Sequence, residues 1–509
     1  MDITRELIQL VNRNRLKSIL PLGSEELSDS LLMKLYDGIY DGEFADDDAA
    51  HRSLYGEEVD RSTYIKLKYD LREKLKQTLL FLPVSHTGMT NEDQREALAE
   101  CNRCIALVAL LFLQRAFQAM EQVAVKGLRI ALHYEYTSET ISLARSLLNL
   151  QVGEHYRRRR FKKLTVIIQE NIELLALESI AQNFYLKLSA LYWVKRPPHR
   201  KILKLTTVAL KQLEYQMNLT AKPTLRTHFM KDCLQMAHAL AEKNLPEALK
   251  TGRDSLVRIN NHSYFDGVAY RTIAFQVIMC HTQFKQFTES SALIKEAYAA
   301  VAPRSFNELQ LRQLEVINSF HQLNFEHAWQ VYHATTKHRS FGKFPIEVRE
   351  IWELIKAWLL VLNHYREDIV KGDLKVSKLM NDLGIMSRDK SGLNIPVIVV
   401  AFLLFTRMKD YRGAMELAES LKQYRYRYVM DDYNARSKIF LDMLLLLPDN
   451  RFEHDEVARA ALPFVKKLAK LPSELVGQDH DIEIVPYEVA WETVLQALRD
   501  RTDYLSQSV

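Results

Sequence analysis

The sequence predicts an all-α fold, an α-solenoid of stacked antiparallel helical hairpins, and three observations predict it. The first is a faint internal repeat of about 42 residues. Its marker is an apolar or aromatic residue, two variable positions, then a second apolar residue, set early in a helical stretch. It stands at Phe117/Met120, Phe161/Leu164, Leu245/Ala248, Phe284/Phe287, Phe325/Ala328 and Tyr411/Ala414. The steps between markers are 44, 84, 39, 41 and 86 residues, each close to one or two repeat lengths. A period of this size belongs to helical hairpins that bury a core only by stacking on their neighbours. The second observation is scarce glycine. Fifteen in 509 residues is under half the usual share, which leaves few tight turns and few phosphate-cradling loops. The third is that the 13 prolines mostly fall between helical stretches, where a missing amide breaks nothing.

Taken in order, helix signals run over 3–20, 26–41, 47–54 and 64–82, with glycines at 38, 42 and 56 breaking the first three apart. Asp46, Asp47 and Asp48 stand where a helix start wants acceptors for its orphan amides. Residues 83–91 read as a linker. Residues 1–90 are therefore expected to form an N-terminal helical cap, because a solenoid must cover its exposed end. Repeats should fill 91–365. Ala97–Phe112 is apolar almost all round and is expected to be deeply buried. Its antiparallel partner would be 119–134, followed by a pair at 138–150 and 154–173. After Pro197 and Pro198 helices resume at 202–217, 225–242 and 246–259, with Pro246 in a first turn that tolerates it. The alternation continues through 264–281, 285–301, 306–322 and 326–338. A marker is missing near Ile369, and 366–394 is polar and irregular, an insertion or a diverged repeat. C-terminal repeats and a cap would occupy 395–509, with helices at 396–405, 412–424, 431–447, 453–470 and 487–498. Asp481–Val485 reads as a short extended segment. The whole would be one elongated, right-handed solenoid.

Hydrophobic residues make up 47% and charged residues 26% of the chain, the balance of a folded soluble protein. Four cysteines in 509 residues argue against a disulfide framework. The N-terminus lacks an apolar core of signal-peptide length, and the longest apolar runs, 104–113 and 395–405, are too short to span a bilayer. A cytoplasmic location without membrane contact is the expectation. The net charge of +5 is unevenly spread. Ser24–Arg61 carries twelve acids and three bases, Glu154–Met230 fifteen bases and five acids, and Glu474 to the end eight acids and two bases. A basic middle between acidic ends can steer a charged partner, or let copies associate end to middle.

The repeat resembles the tetratricopeptide (TPR) family and its looser relatives. Tyr411-Arg-Gly-Ala414 and Phe325-Glu-His-Ala328 carry the aromatic-x-x-small signature, which in that family locks the second helix of a hairpin against the first. The family's glycine two positions before the aromatic is replaced by Lys243, Thr282, Leu323 and Lys409, and the period exceeds the family's 34 or so residues. TPR-like is therefore the description, and the resemblance covers roughly 95–470. The whole chain also looks like a family of bacterial TPR-like proteins without an assigned activity, through Lys34–Phe44, Lys390–Pro396 and Glu483–Glu488. The resemblance implies architecture and no particular function.

No pattern for catalysis stands out: there is no HExxH, GxSxG, GxxxxGK or GxGxxG. Cys101-Asn-Arg-Cys104 has metal or thiol-exchange spacing, but no second ligand pair stands nearby, so a structural role is expected. His327, His333 and His338 do not share a helix face and read as satisfied or solvated side chains. No enzyme activity, cofactor or metal is expected. The basic middle is the candidate site. Arg157, Arg158, Arg159, Arg160, Lys162 and Lys163 form one cluster, and Lys195, Arg196, Arg200, Lys201 and Lys204 follow about one repeat later. Equivalent positions of adjacent repeats lie side by side, so the two could form one positive stripe, with Tyr156, Phe161, Tyr192 and Trp193 nearby for stacking. Tyr424-Arg-Tyr-Arg-Tyr428 mixes the same residue types. The expected function is a scaffold or adaptor holding a peptide or helix of another protein in a groove. The alternative is RNA or DNA binding through the stripe, and self-association remains open.

Overall fold

A computed structural model describes residues 2–13, 30–56, 60–79, 92–152, 156–193, 199–220, 222–362, 394–428, 435–471 and 483–507. All regular structure among them is helical. The expected stretch 366–394 lies outside the described residues but for Asn394. The chain divides into two compact units, 1–169 and 170–509.

In the first unit, α1 (Asp2–Arg13), α2 (Leu31–Tyr40), α3 (Asp47–Tyr55) and α4 (Arg61–Leu79) close around Ile8, Leu35, Tyr36, Tyr64, Leu71 and Leu75. Ser30 caps α2 by accepting from the Met33 amide at 3.3 Å, and Asp46 caps α3 by accepting from Ala49 at 2.8 Å. Gly42 and Gly56 end their helices with φ of +80° and +76°. Contrary to the expectation from the sequence, Gly38 breaks no helix; it lies inside α2, where a Cβ would sit 2.2 Å from the Phe44 ring. The same unit holds α5 (Glu92–Leu113), α6 (Phe117–His133), α7 (Thr137–Asn149) and the start of α8 (Arg158–Trp193). Only one stripe of α5 is deeply buried, Ala97, Cys101, Cys104 and Val108. Leu107, Leu110, Phe112 and Leu113 are exposed, which corrects the expectation of burial all round. The neighbours of α5, which are α6 and α7, cover the cysteine stripe and leave the opposite face in solvent.

The second unit contains the rest of α8, then α9 (His199–Leu219), α10 (Leu225–Ala241), α11 (Leu245–Asn260), α12 (Gly267–Gln283), α13 (Phe287–Tyr298), α14 (Phe306–His321), α15 (Phe325–Thr336) and α16 (Ile346–Leu362). It continues with α17 (Asn394–Arg407), α18 (Tyr411–Tyr428), α19 (Ala435–Asp449), α20 (His454–Leu468) and α21 (Tyr487–Gln507). From α9 onward each helix packs on the next, and α10 reaches α12 as α12 reaches α14. Two elements differ from expectation. Helix α8 runs 36 residues instead of ending near Glu173, and α16, which the marker did not announce, buries Trp352, Leu354, Ile355 and Trp358. Residues 483–485 are irregular and make no strand.

One turn recurs. Between α5 and α6, α6 and α7, α10 and α11, α12 and α13, α14 and α15, and α17 and α18, three residues reverse the chain. The middle residue is left-handed and never glycine: Arg115, Glu135, Lys243, Lys285, Leu323 and Lys409, with φ between +55° and +60°. The amide after it bonds back to the carbonyl five residues earlier, as Asn244 does to Ala239 at 2.8 Å and Asn324 to Ser319 at 2.9 Å. This Schellman arrangement satisfies carbonyls that a helix end would otherwise strand. Asn244, Asn324 and Asp410 then cap the following helix with their side chains. The fourth residue of that helix is buried in every case: Met120, Thr140, Ala248, Ser290, Ala328 and Ala414. The marker Phe284/Phe287 is therefore one turn early; Phe284 ends α12, and the equivalent pair is Phe287/Ser290.

The C-terminal helix is held by a buried ion cluster. Arg436, 2% exposed at its side chain, reaches the fully buried Glu483 through Nε and Nη2 at 2.9 and 2.6 Å. Nη2 also donates to Glu488 at 2.7 Å, and Nη1 donates to the carbonyls of Leu468 and Leu471 at 2.8 and 2.9 Å. Burial opposes the guanidinium charge, but the two carboxylates hold the proton more firmly than in a free arginine. Glu483 accepts from the Tyr487 amide at 2.9 Å, so it also caps α21. His321 Nε2 lies 2.8 Å from the Glu483 carbonyl oxygen, where the Nε2–H tautomer donates. Helix α21 packs on α16, α17 and α20.

Two measurements test this account. Leu323, exposed yet left-handed, carries a steric cost of about 1 kcal/mol that glycine lacks. Leu323→Gly should raise the urea midpoint, and a lowered midpoint would show that Leu323 contacts outweigh the strain. Arg436→Met should cost about 3–5 kcal/mol by stranding a buried carboxylate, and adding Glu483→Gln should restore part of it. Equal losses in the single and double variants would mean that the ion pair is not what holds α21.

Candidate interaction surface

The two predicted basic clusters fall in different compact units, the first in 1–169 and the second in 170–509. Arg157 precedes α8, and Arg158, Arg159, Lys162 and Lys163 are exposed on its first turns. Arg160 turns inward and pairs with Glu121 of α6. Four consecutive arginines must point around the helix, and one of them is thus structural. Tyr156 is exposed beside Phe161, ring centroids 5.7 Å apart. In the second cluster Lys195 and Arg196 lie outside the described residues, as does the Trp193 side chain. Arg200, Lys201 and Lys204 are exposed on the first turns of α9. Arg425 of the Tyr-Arg stretch pairs with Asp442, its Nη2 donating at 3.1 Å.

Neither α8 nor α9 has an acid in its first turn. Cations there oppose the helix dipole, at roughly 0.3–1 kcal/mol each near an exposed terminus. Lys201 and Lys204 belong to a larger feature. Within the second unit, the C-terminal part of α8 and the N-terminal part of α9 border a groove of about 540 Å³. Phe184, Leu191, Leu205 and Val208 supply most of its apolar lining, referred to below as its floor, and Lys187, Lys201 and Lys204 are its charged lining residues. Val208 is 55% exposed. Beneath the floor, Leu177, Ala181 and Leu188 of α8 share a core with Ala209 and Leu213 of α9 and Leu234 of α10. Sequence reasoning named the two α9 lysines and missed Lys187 and the floor. The available signal was a run without acids: between Glu178 and Glu214 there are seven bases and no carboxylate.

The other motifs resolve into local structure. Cys101 and Cys104 are buried, and Cys101 Sγ lies 3.6 Å from the Gly127 carbonyl. Burial pushes the Cys101 thiol up to about 12, and it raises Cys104 as well. A Cβ on Gly127 would lie 2.8 Å from that of Cys104, so the CxxC pair is the seat on which α6 crosses α5. His327 pairs with Glu315 at 3.0 Å, His333 lies beside Trp329, and His338 Nδ1 is 2.6 Å from Ser340 Oγ. In the aspartate triplet Asp46 is the cap, Asp48 pairs with Arg61 at 2.8 Å, and Asp47 accepts from Lys68 and Tyr64 at 2.6 and 2.8 Å. Among the described residues no helix is long and apolar enough to cross a membrane.

Asp47 supplies a pH test. Burial raises its pKa, but the bonds from Lys68 and Tyr64 and the lysine charge outweigh it, leaving the carboxyl at about 2. A depressed folded pKa contributes stability above the unfolded value near 4, and that contribution is lost as pH falls toward 2. Asp47 is partly exposed, so solvent screening reduces it to on the order of 1 kcal/mol. Asp47→Asn should melt earlier than the wild type at pH 7, and the two curves should converge by about pH 2. A gap that stays constant with pH would remove the ion pair as its source.

No protein-family model, curated protein or solved structure matches the chain.

Proposed function

We propose that this chain is a non-enzymatic interaction scaffold of TPR-like character, whose helical hairpins stack as a solenoid and hold a segment of another protein. The observation that carries this reading is the recurrent turn. Its left-handed residues at 243, 285, 323 and 409, with the related Arg451, are spaced 42, 38, 86 and 42 residues apart. Each turn is followed by a buried fourth residue wherever the three-residue form holds. A repeated supersecondary unit that packs on its chain neighbours builds an extended surface, and such surfaces suit partner binding. The reading places the protein in the cytoplasm.

The second reading is nucleic-acid binding. It is favoured by the exposed Arg157, Arg158, Arg159, Lys162 and Lys163, with Tyr156 beside them. Phosphate contacts of this kind would make binding steeply salt-dependent.

A native pull-down of the tagged full chain, divided into nuclease-treated and untreated halves, separates the two. The scaffold reading expects the same proteins in both halves. Recovery of mostly nucleic acid, or loss of the proteins after nuclease, would replace it with the second reading.

A further inference from the structure

The α8/α9 groove is specific enough in shape and charge to name its occupant. Its lining falls at helical spacing on both walls: Phe184 and Leu191 are seven apart on α8, and on α9 the lining runs seven residues, from Lys201 through Lys204 and Leu205 to Val208. Seven residues of helix span about 10 Å, so each wall is close to two turns long. A slot of this length between two helices fits a third helix laid along it. The lining charges share one sign. Lys187 stands on one wall, Lys201 and Lys204 on the other, and no carboxylate occurs in the sequence from 179 to 213. Lys187 brings its Nζ over the Phe184 ring, 5.6 Å from its centroid, so its ammonium lies beside the apolar lining on the α8 side. An occupant must therefore present aliphatic side chains inward and carboxylates outward on both flanks.

We propose that this groove docks an amphipathic helix with acidic flanks from another protein. The inference rests on the scaffold reading and gives it a site and a partner chemistry. The floor argues against nucleic acid, because aliphatic side chains and the 9%-exposed Phe184 offer no open ring for a base to stack on. The openness of the slot argues against a small metabolite, which would need walls on most sides.

Fluorescence anisotropy with the full chain tests it, using a labelled synthetic leucine/glutamate amphipathic helix as probe. A leucine/lysine helix of the same pattern and a serine/glutamate peptide of the same charge are the controls. The leucine/glutamate helix should bind and both controls should bind at least about tenfold more weakly, since one lacks charge complementarity and the other lacks an apolar face. Lys201→Glu/Lys204→Glu should weaken it about tenfold or more. Val208→Asp should do the same, at an exposed position where the fold is not at stake. Circular dichroism and melting curves matching the wild type certify both variants. Equal binding by wild type and variants overturns the proposal, as does preference for the serine/glutamate peptide. Binding of a labelled anionic fatty acid or an RNA oligomer at this groove, in place of the helix, overturns it too. The pull-down keeps the two readings apart: proteins retained equally by wild type and variants leave the scaffold standing and remove only the groove.

Discussion

Reversing a helix in three residues forces a left-handed backbone on the middle one, and much of this structure follows from that constraint. The last helical carbonyls need donors within reach, and the amides of the turn supply them only if the chain turns left there. Glycine would adopt this conformation at no steric cost, yet lysine, arginine, glutamate and leucine occupy it. The compensation lies in what the turn fixes. It delivers the next helix antiparallel to the last, in contact from its first turn, and sets its fourth residue against the preceding helix. That residue is Ala248, Ser290, Ala328 or Ala414 across the second unit, all small and fully buried. In the first unit the same turn accommodates Met120 and Thr140 at that position, so what the turn requires is burial and the second unit meets it with small residues.

The first and last helices of the chain are held in different ways. In the N-terminal module, α1 to α4 wrap a core of aliphatic and tyrosine side chains. In the second unit α21 departs from neighbour-to-neighbour packing and folds back on α16 and α17. Apolar contact supplies adhesion there, through Trp491, Val494 and Leu498. Register comes from Arg436, whose guanidinium is filled on every side by Glu483, Glu488 and two carbonyls. A buried pair of this type contributes more to positioning than to net stability, because desolvation consumes most of the Coulomb gain.

What was legible in the sequence was local. The helix start at Asp47 could be read because Asp46 advertises a cap, while the caps that Ser305 and Thr224 place before Phe306 and Leu225 came to light only in the structure. The hairpin marker was legible at Leu245, Phe325 and Tyr411, where an apolar first residue precedes a small fourth one. It misled at Phe284, because Phe287 also lies three residues on and an aromatic pair mimics the pattern. It was silent at α16, whose first turns carry no such signal. Distance in sequence hid the rest. Arg436 and Glu483 are 47 residues apart, and nothing in either neighbourhood requires the other. The outward face of α5 read as core because composition reports hydrophobicity without reporting which neighbours arrive. The groove was half legible: Lys201 and Lys204 were visible as charges, while its floor of Phe184 and Val208 exists only once two helices are placed beside each other.

Helices α8 and α9 carry clustered bases against their own dipoles, as α4 and α19 also do with Arg61, Arg436 and Lys438. Other helices follow theirs. Helix α20 opens with Asp455 and Glu456 and closes with Lys466 and Lys467, and α13 opens with Glu289 and closes with Lys295. Those charges are accounted for by the helices that carry them. The arginines at the start of α8 and the Arg200, Lys201 and Lys204 group of α9 oppose their own helix, and only Arg160 recovers the cost through an ion pair among the described residues. Local choices that contradict the fold concentrate where a surface serves something besides stability. In the second unit the contradiction coincides with an open apolar slot, and the two features have one remedy. A helix that brings carboxylates to the lysines also covers the exposed Val208. Charge and hydrophobicity thus ask for the same occupant, which neither feature would specify alone.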